Sequence, residues 1–430
     1  MRLALNKKPF IAQSLALSVA ALMMTTTHAA TKEQQELAQL RAEVAELKAL
    51  MQQQQQVQQQ QAVQIQQVKA QPAPVKAESP LSSFKSKSGA DINLYGFVRG
   101  DANYIIEGAD DDFNGVAKVG GTGKNDPASV KDKLRATAKT TRLGLDFNTN
   151  VAGDNKLGGK VEVDFAGTNE ALRIRHAYLT YNNWLFGQTT SNFLSNHAPE
   201  MIDLGTNVGG GTARIPQVRY GFNLAPATKL FIAAEEGNSN SGSSDAAIKY
   251  SVPNLTAKLT QGFADGKGSV SARALVENYK SANDSDTGWG VAAGVNYQVM
   301  DPLKLSADVS YVDGNSNYLY GSNSAYVVNA ANGKIAQNEA FGVQVGGTYK
   351  FNEKLRSTLA YGALFADDGT DYARINDAAN EEVYQAWINF IYSPVKPLDL
   401  GVEYINGKRD TFAGNSYKDN RVGLMAKYSF

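Results

Sequence analysis

The sequence predicts an all-β protein, a 16-stranded antiparallel transmembrane β-barrel with an N-terminal α-helical coiled-coil segment. Three observations carry this reading. The last ten residues alternate strictly, with Val422, Leu424, Ala426, Tyr428 and Phe430 on one face and Arg421, Gly423, Met425, Lys427 and Ser429 on the other. One greasy face and one wet face suit a strand that meets lipid outside and water inside. The same alternation recurs along the second half of the chain, and the whole lies behind an export signal.

That signal occupies residues 1–29. Arg2, Lys7 and Lys8 form its positive end, Phe10 to Met24 its apolar stretch, and Thr27-His28-Ala29 places small residues where a signal peptidase needs them. Beyond it no run of 18 apolar residues exists, so no membrane helix is expected. The destinations left are periplasm, outer membrane or secretion.

Residues 30–70 change period. Leu37, Leu40, Val44, Leu47 and Met51 follow the 3-4-3-4 spacing of a coiled-coil seam, with Glu36 and Arg41, then Glu43 and Lys48, at the flanking positions where opposite charges bridge parallel helices. The seam passes through a glutamine tract at 52–61, which taken alone reads as a disordered tether, and recovers at Ile65 and Val68. A 38-residue helix would reach about 57 Å. The seam implies self-association without settling two chains against three. Gln71-Pro72-Ala73-Pro74 ends the helix, and residues 71–90 read as a linker.

The barrel is expected over 91–430. Alternating segments bounded by turn residues give seventeen candidates, and a single-chain bacterial barrel needs an even number. Short joints at Pro253-Asn254 and Asp301-Pro302 both read as periplasmic turns, which makes 255–264 rise and 288–299 descend. Residues 269–279 then fall in an external loop, and 246–252 counts as a strand. Sixteen remain, enough to leave an aqueous lumen. Lipid-facing residues include Leu143, Leu145 and Phe147, Val161 and Val163, and Val291, Ala293, Val295 and Tyr297. Arg142, Asp146, Lys160, Glu162, Asp164 and Glu403 point inward.

Bulk composition agrees. With 42 basic and 42 acidic residues the net charge is zero, which argues against nucleic acid as a partner. Without cysteine there is neither a disulfide framework nor thiol catalysis. A mean hydropathy of −0.34 is what a barrel gives when half of each strand faces water.

The inward charges suggest a solute. Arg99, Arg142, Arg173, Arg175 and Arg219 fall opposite the apolar faces of their strands, with Lys160 nearby, and a long loop at 193–215 brings Glu200, Asp203, three consecutive glycines and Arg214. Arginine forks bind carboxylates through paired hydrogen bonds. If the loop enters the lumen, its acids would face the basic wall and set up a transverse field. Charges of both signs also serve simply to keep a pore wet, and alternation does not separate the two roles. His176, between Ile174 and Tyr178, is expected on the outer face.

No catalytic constellation stands out, and no cofactor is expected. The three histidines, His28, His176 and His197, are not at metal-ligand spacing. The stretch Gly120-Gly121-Thr122-Gly123-Lys124-Asn125 is mis-spaced for a phosphate loop and ends in Asn instead of Ser or Thr.

The signal, the glutamine-rich seam at 33–68, the first strand Ile92-Asn93-Leu94-Tyr95-Gly96-Phe97-Val98-Arg99 and the terminal Tyr428-Ser429-Phe430 together resemble the DcaP-like porins of Gram-negative bacteria. The resemblance covers the whole chain. It implies a homotrimer of sixteen-stranded barrels in outer-membrane lipid, periplasmic helices in a coiled coil, and passage of small anions, notably dicarboxylates. The residues alone reach only an anion-leaning pore; the runner-up is a structural or adhesive barrel anchored by its coiled coil.

Overall fold

A computed structural model describes residues 83–430 apart from Ser88, 121–128, Thr212, 238–247 and 316–317. The expected signal and coiled coil lie outside the described residues. Three residues of the expected linker join the sheet: β1 (Ser83–Lys85) pairs with the first residues of β2 (Asp91–Ala109). This covers part of an edge that the last strand leaves open, because β20 (Ser416–Ser429) meets β2 only from Phe97 upward. An edge left bare presents unpaired N–H and C=O groups.

The sheet closes on itself through β2 and β20 and is antiparallel throughout. After β2 come β3 (Ser129–Thr137) and β4 (Arg142–Val151), both paired with β2, so that they form one spanning strand broken at 138–141. At the break Thr141 Oγ1 accepts from Arg99 N at 3.1 Å and Thr140 Oγ1 donates to Asp101 Oδ2 at 3.0 Å. The Thr141 hydroxyl, which also donates to Arg99 O at 3.2 Å, thus takes over the ladder bonds of Arg99. The next strands are β5 (Asn155–Asp164), β6 (Arg173–Tyr181), β7 (Trp184–Thr190), β8 (Arg214–Ala225) and β9 (Thr228–Glu235). Then follow β10 (Asn254–Phe263), β11 (Gly268–Lys280), β12 (Ser285–Met300) and β13 (Leu303–Asp313). A short hairpin, β14 (Tyr326–Val328) and β15 (Ile335–Gln337), stands apart from the wall. The wall continues with β16 (Glu339–Lys350), β17 (Leu355–Ala366), β18 (Asn380–Val395), β19 (Leu398–Thr411) and β20. Counting β3 and β4 as one and leaving out β1, β14 and β15, sixteen strands span.

The count agrees with expectation, but two segments exchange places. Residues 268–280 are not an external loop. They form β11, paired along its length with both β10 and β12. Of the segment 246–252, the described residues 248–252 form no wall strand, and Lys249 makes an isolated bridge to Lys280. The turn that fixes the register is 264–267, where Ala264, Asp265 and Gly266 all have positive φ. Pro253-Asn254 sits at the other end, with Asn254 paired to Glu235 at the top of β9. Two errors of opposite sign cancelled in the total.

The outer surface is an apolar band. Leu134, Leu143, Val161, Val291, Leu305, Val345, Leu359 and Leu424 are all exposed. Contiguous exposed apolar surface of this extent is foreign to a protein bathed in water and normal for one bathed in lipid. Outward aromatics gather near both rims. Trp184, Tyr220, Tyr297, Tyr349 and Tyr392 lie near the short turns, and Trp289, Phe341 and Phe365 lie near the opposite end. These are the two girdles of an outer-membrane barrel. The long connections after β2, β9 and β13 leave the wall at the end opposite Asp91 and Phe430.

Candidate functional site: a divided lumen

The long connection 191–213, after β7, folds back into the barrel and lies along the inner face of β10 to β19. Lys258 Nζ of β10 donates to Leu194 O at 3.0 Å, and Arg273 Nη1 of β11 donates to Phe193 O at 3.0 Å. Ser195 Oγ donates to Asp308 Oδ2 of β13 at 2.5 Å. Trp387 Nε1 and Asn389 Nδ2 of β18 both donate to Glu200 O at 3.1 Å. Glu403 of β19 accepts from Ile202 N and Asp203 N at 2.9 and 2.8 Å, while Arg99 Nη2 donates to Ile202 O at 2.5 Å. The loop's backbone therefore finds inside the barrel the partners that water would give it outside.

Above this seam the loops build a small core of their own. Val116, Phe193, Val208, Tyr318 and Leu319, from three connections, pack against Leu275, Val312, Leu364 and Val383 of the wall. Glycine makes the room on both sides: a Cβ at Gly362 of the wall would collide with Val208 O, and Gly209 of the loop, at φ +76°, lies against Ala363 O. One side of the lumen is thus filled.

The other side, lined by β2 and β4 to β9, carries most of the cations expected from the sequence. Arg142 and Lys160 stack over the rings of Phe97 and Tyr95 at 5.0 and 4.5 Å from the centroids, and Arg219 over Phe231 at 5.6 Å. Arg173 Nε and Nη2 donate to Asp164 at 2.9 and 2.7 Å. Arg175 donates from Nε to Glu162 at 2.8 Å and from Nη1 to Asp164 at 2.9 Å. Tyr95 Oη also donates to Glu162, at 2.8 Å. Arg214, at the head of β8, lies near enough to Arg175, Arg173 and Arg142 to feel their charge. Four guanidinium groups (Arg142, Arg173, Arg175, Arg214) against two carboxylates (Glu162, Asp164) leave two positive charges.

Six of the seven predicted cations therefore lie on one wall. Arg99 does not join them: it is buried, gives its fork to Asp101, and tethers the lumen loop. The expected transverse field is not built from Glu200 and Asp203. Glu200 is bound by Arg356 of β17 at 2.8 Å, and Asp203 is buried and accepts from Asn114 N and Gly205 N at 3.0 and 2.7 Å. His176 also departs from expectation. A bulge opposite Glu162 and Val163 inserts Arg175 as an extra residue and turns His176 inward, where Nδ1 meets Thr189 Oγ1 at 2.9 Å. Sequence reasoning missed Arg356, Arg273 and Lys258, although inward alternation marks each of them.

A closed sixteen-stranded barrel with an apolar belt, two aromatic girdles and a charged, loop-narrowed lumen defines an outer-membrane channel of the porin class. The model of the DcaP outer membrane protein family matches residues 23–430, and the chain belongs to that family. The outer membrane channel DcaP of Acinetobacter baumannii is 69% identical over 81% of this chain and all of its own, with a TM-score of 0.77. The in-vitro folded trimer form of OmpT from Vibrio cholerae is 14% identical over 79% of this chain and 99% of its own, at a TM-score of 0.51. The anion-selective porin of Comamonas acidovorans is 12% identical over 79% of this chain and all of its own, at 0.53. These two share the fold. No curated protein matches the chain. The family and the solved relatives are channels and porins, not enzymes.

Proposed function

We propose that this channel passes small anionic solutes, dicarboxylates foremost, by diffusion across the outer membrane, as a homotrimer. The observation that carries the reading is the surplus of two positive charges on the wall that the lumen loop leaves open. In a narrow passage with low-dielectric walls, such a surplus raises the local concentration of anions. The aromatic rings under Arg142, Lys160 and Arg219 hold the cations in place without neutralising them. The dicarboxylate preference and the trimer rest on the family resemblance, and the exposed apolar outer face gives trimer contacts a surface.

The test is the reversal potential of the purified protein in planar bilayers under a potassium chloride gradient. Preference for chloride is expected, and preference for potassium overturns the reading. The loops filling one side of the lumen are also what a purely structural barrel would show; absence of conductance would favour that alternative.

A further inference from the structure

The guanidinium groups on the open wall are not equivalent. Arg173 and Arg175 have spent their forks on Asp164 and Glu162. Arg142 and Arg214 have not. The Nε of each is buried without a hydrogen-bond partner among the described residues. Arg142 Nε stands 3.4 Å from Glu162 Oε1, close enough for attraction but without a hydrogen bond. Arg214 is surrounded mainly by like charge, from Arg175, Arg173 and Arg142, with Asp164 as its acidic neighbour. A buried Nε without an acceptor is costly and lies out of a solute's reach, but no hydrogen bond holds the Nη groups of either guanidinium among the described residues, and these can take an acceptor that arrives from solution.

We propose that Arg142 and Arg214 are the groups that grip the two carboxylates of a small dicarboxylic acid. Arg173 and Arg175 act as positioning residues, holding Glu162 and Asp164 so that these acids cannot satisfy the other pair. The proposal rests on the anion-channel reading above and adds which cations touch the solute. Arg142 belongs to β4 and Arg214 to β8, with β5, β6 and β7 between them. That is about 19 Å of wall measured along the sheet, shortened by its curvature. The two long side chains bring their charges within interaction range across that span, so a diacid can meet both where a single carboxylate meets one. The uncompensated charge of two on the cluster matches the charge of such a solute. Lys160, an ammonium without a planar fork, and Arg219, which donates from Nη1 to Asn192 Oδ1 at 3.5 Å, contribute field but lie outside the grip.

The experiment uses the full-length channel in planar bilayers, with succinate added to one side. The concentration that halves the chloride current is measured, with the reversal potential as a second reading. Arg142→Gln and Arg214→Gln should each raise the half-blocking concentration about tenfold, the loss expected for one charge-assisted pair. Arg142→Lys and Arg214→Lys keep the charge but lose the planar fork. They should retain chloride preference while losing succinate block, and their conductance shows that the barrel has folded and inserted. Acetate should block weakly in every form. An unchanged half-blocking concentration in the double glutamine variant, with chloride preference intact, overturns the assignment and leaves the channel reading standing. Absence of chloride preference in the unaltered protein removes both, and the first measurement reports it.

Discussion

Arg356 of β17 grips Glu200 of the lumen loop through Nε at 2.9 Å and Nη2 at 2.8 Å, while Trp387 and Asn389 bind the backbone oxygen of the same residue. The acid expected to face the arginine wall is committed to the wall behind it. Side-chain exposures of 25% and 34% place the pair in partly wet surroundings, where an ion pair is modest in strength.

Breaking that pair should loosen the loop without releasing it. Arg356→Gln leaves the contacts from Glu403, Trp387 and Arg99 in place. A local cost of about 1 kcal/mol is expected. Amide exchange at Ile202 and Asp203 should then quicken about fivefold. The swapped double variant Arg356→Glu with Glu200→Arg should recover part of the protection. Unchanged exchange in the single variant would show that the pair contributes nothing to docking.

Close packing makes a second claim testable. A Cβ at Gly362 meets the backbone oxygen of Val208, a group that cannot swing aside. Gly362→Ala should therefore push the loop toward the open side, at a cost of about 1–3 kcal/mol. Single-channel conductance should fall. Gly100→Ala, where nothing lies within 4 Å of the added carbon, is the control and should conduct as the unaltered protein does. Equal conductance in both variants would mean that the loop has slack.

Much of the wall was legible because alternation of period two is a local signal, and lipid on one side with water on the other keeps it clean. Val291, Ala293, Val295 and Tyr297 fell on the outer face by that rule alone. The failures were non-local or came from one extra residue. A single bulge at Arg175 reversed the face assigned to His176. The exchange of 246–252 for 268–280 arises because Pro253-Asn254 has the look of a two-residue joint, whereas the chain turns at 264–267 on positive-φ residues. Within the site, position was legible and partnership was not. Nothing in the spacing of Arg173 and Arg175 says that Asp164 and Glu162, on the neighbouring strand, already occupy their forks.

The mouth at the long-loop end should be sensitive to acid. Asp112 accepts from Arg135 Nε at 2.7 Å and from Lys139 Nζ at 2.6 Å, and Asp110 accepts from Lys133 Nζ at 2.7 Å. Lys139 reaches Asp112 from the break between β3 and β4. The bond from Lys133 holds the Asp110 carboxyl below its usual value. At Asp112 burial pushes the other way, but the bonds from Lys139 and Arg135 outweigh it and the net direction is also down. A carboxyl lowered on folding stabilises above its unfolded value of about 4 and loses that contribution as pH falls through its folded value. The clamp is therefore complete at neutral pH and should open below about pH 4. Amide exchange in 110–116 should rise there, while Asp110→Asn with Asp112→Asn should show the loosened state already at pH 7. A flat pH profile in the unaltered protein would remove the clamp.

The corrected topology is the simplest to check, because the chain has no cysteine and labelling has no background. Ala272 sits mid-strand in β11 opposite Ala293 of β12, on the exposed apolar face, and so belongs in lipid. Asn283 lies in the 281–284 turn at the long-loop end, and Asp265 lies in the 264–267 turn at the end of the termini. An impermeant thiol reagent added to whole cells should label Asn283→Cys and should leave Ala272→Cys and Asp265→Cys unmodified. After the outer membrane is permeabilised, Asp265→Cys should react and Ala272→Cys should stay protected, since lipid shields it from either side. Labelling of Ala272→Cys in intact cells would restore 268–280 to an external loop, against its pairing with β10 and β12.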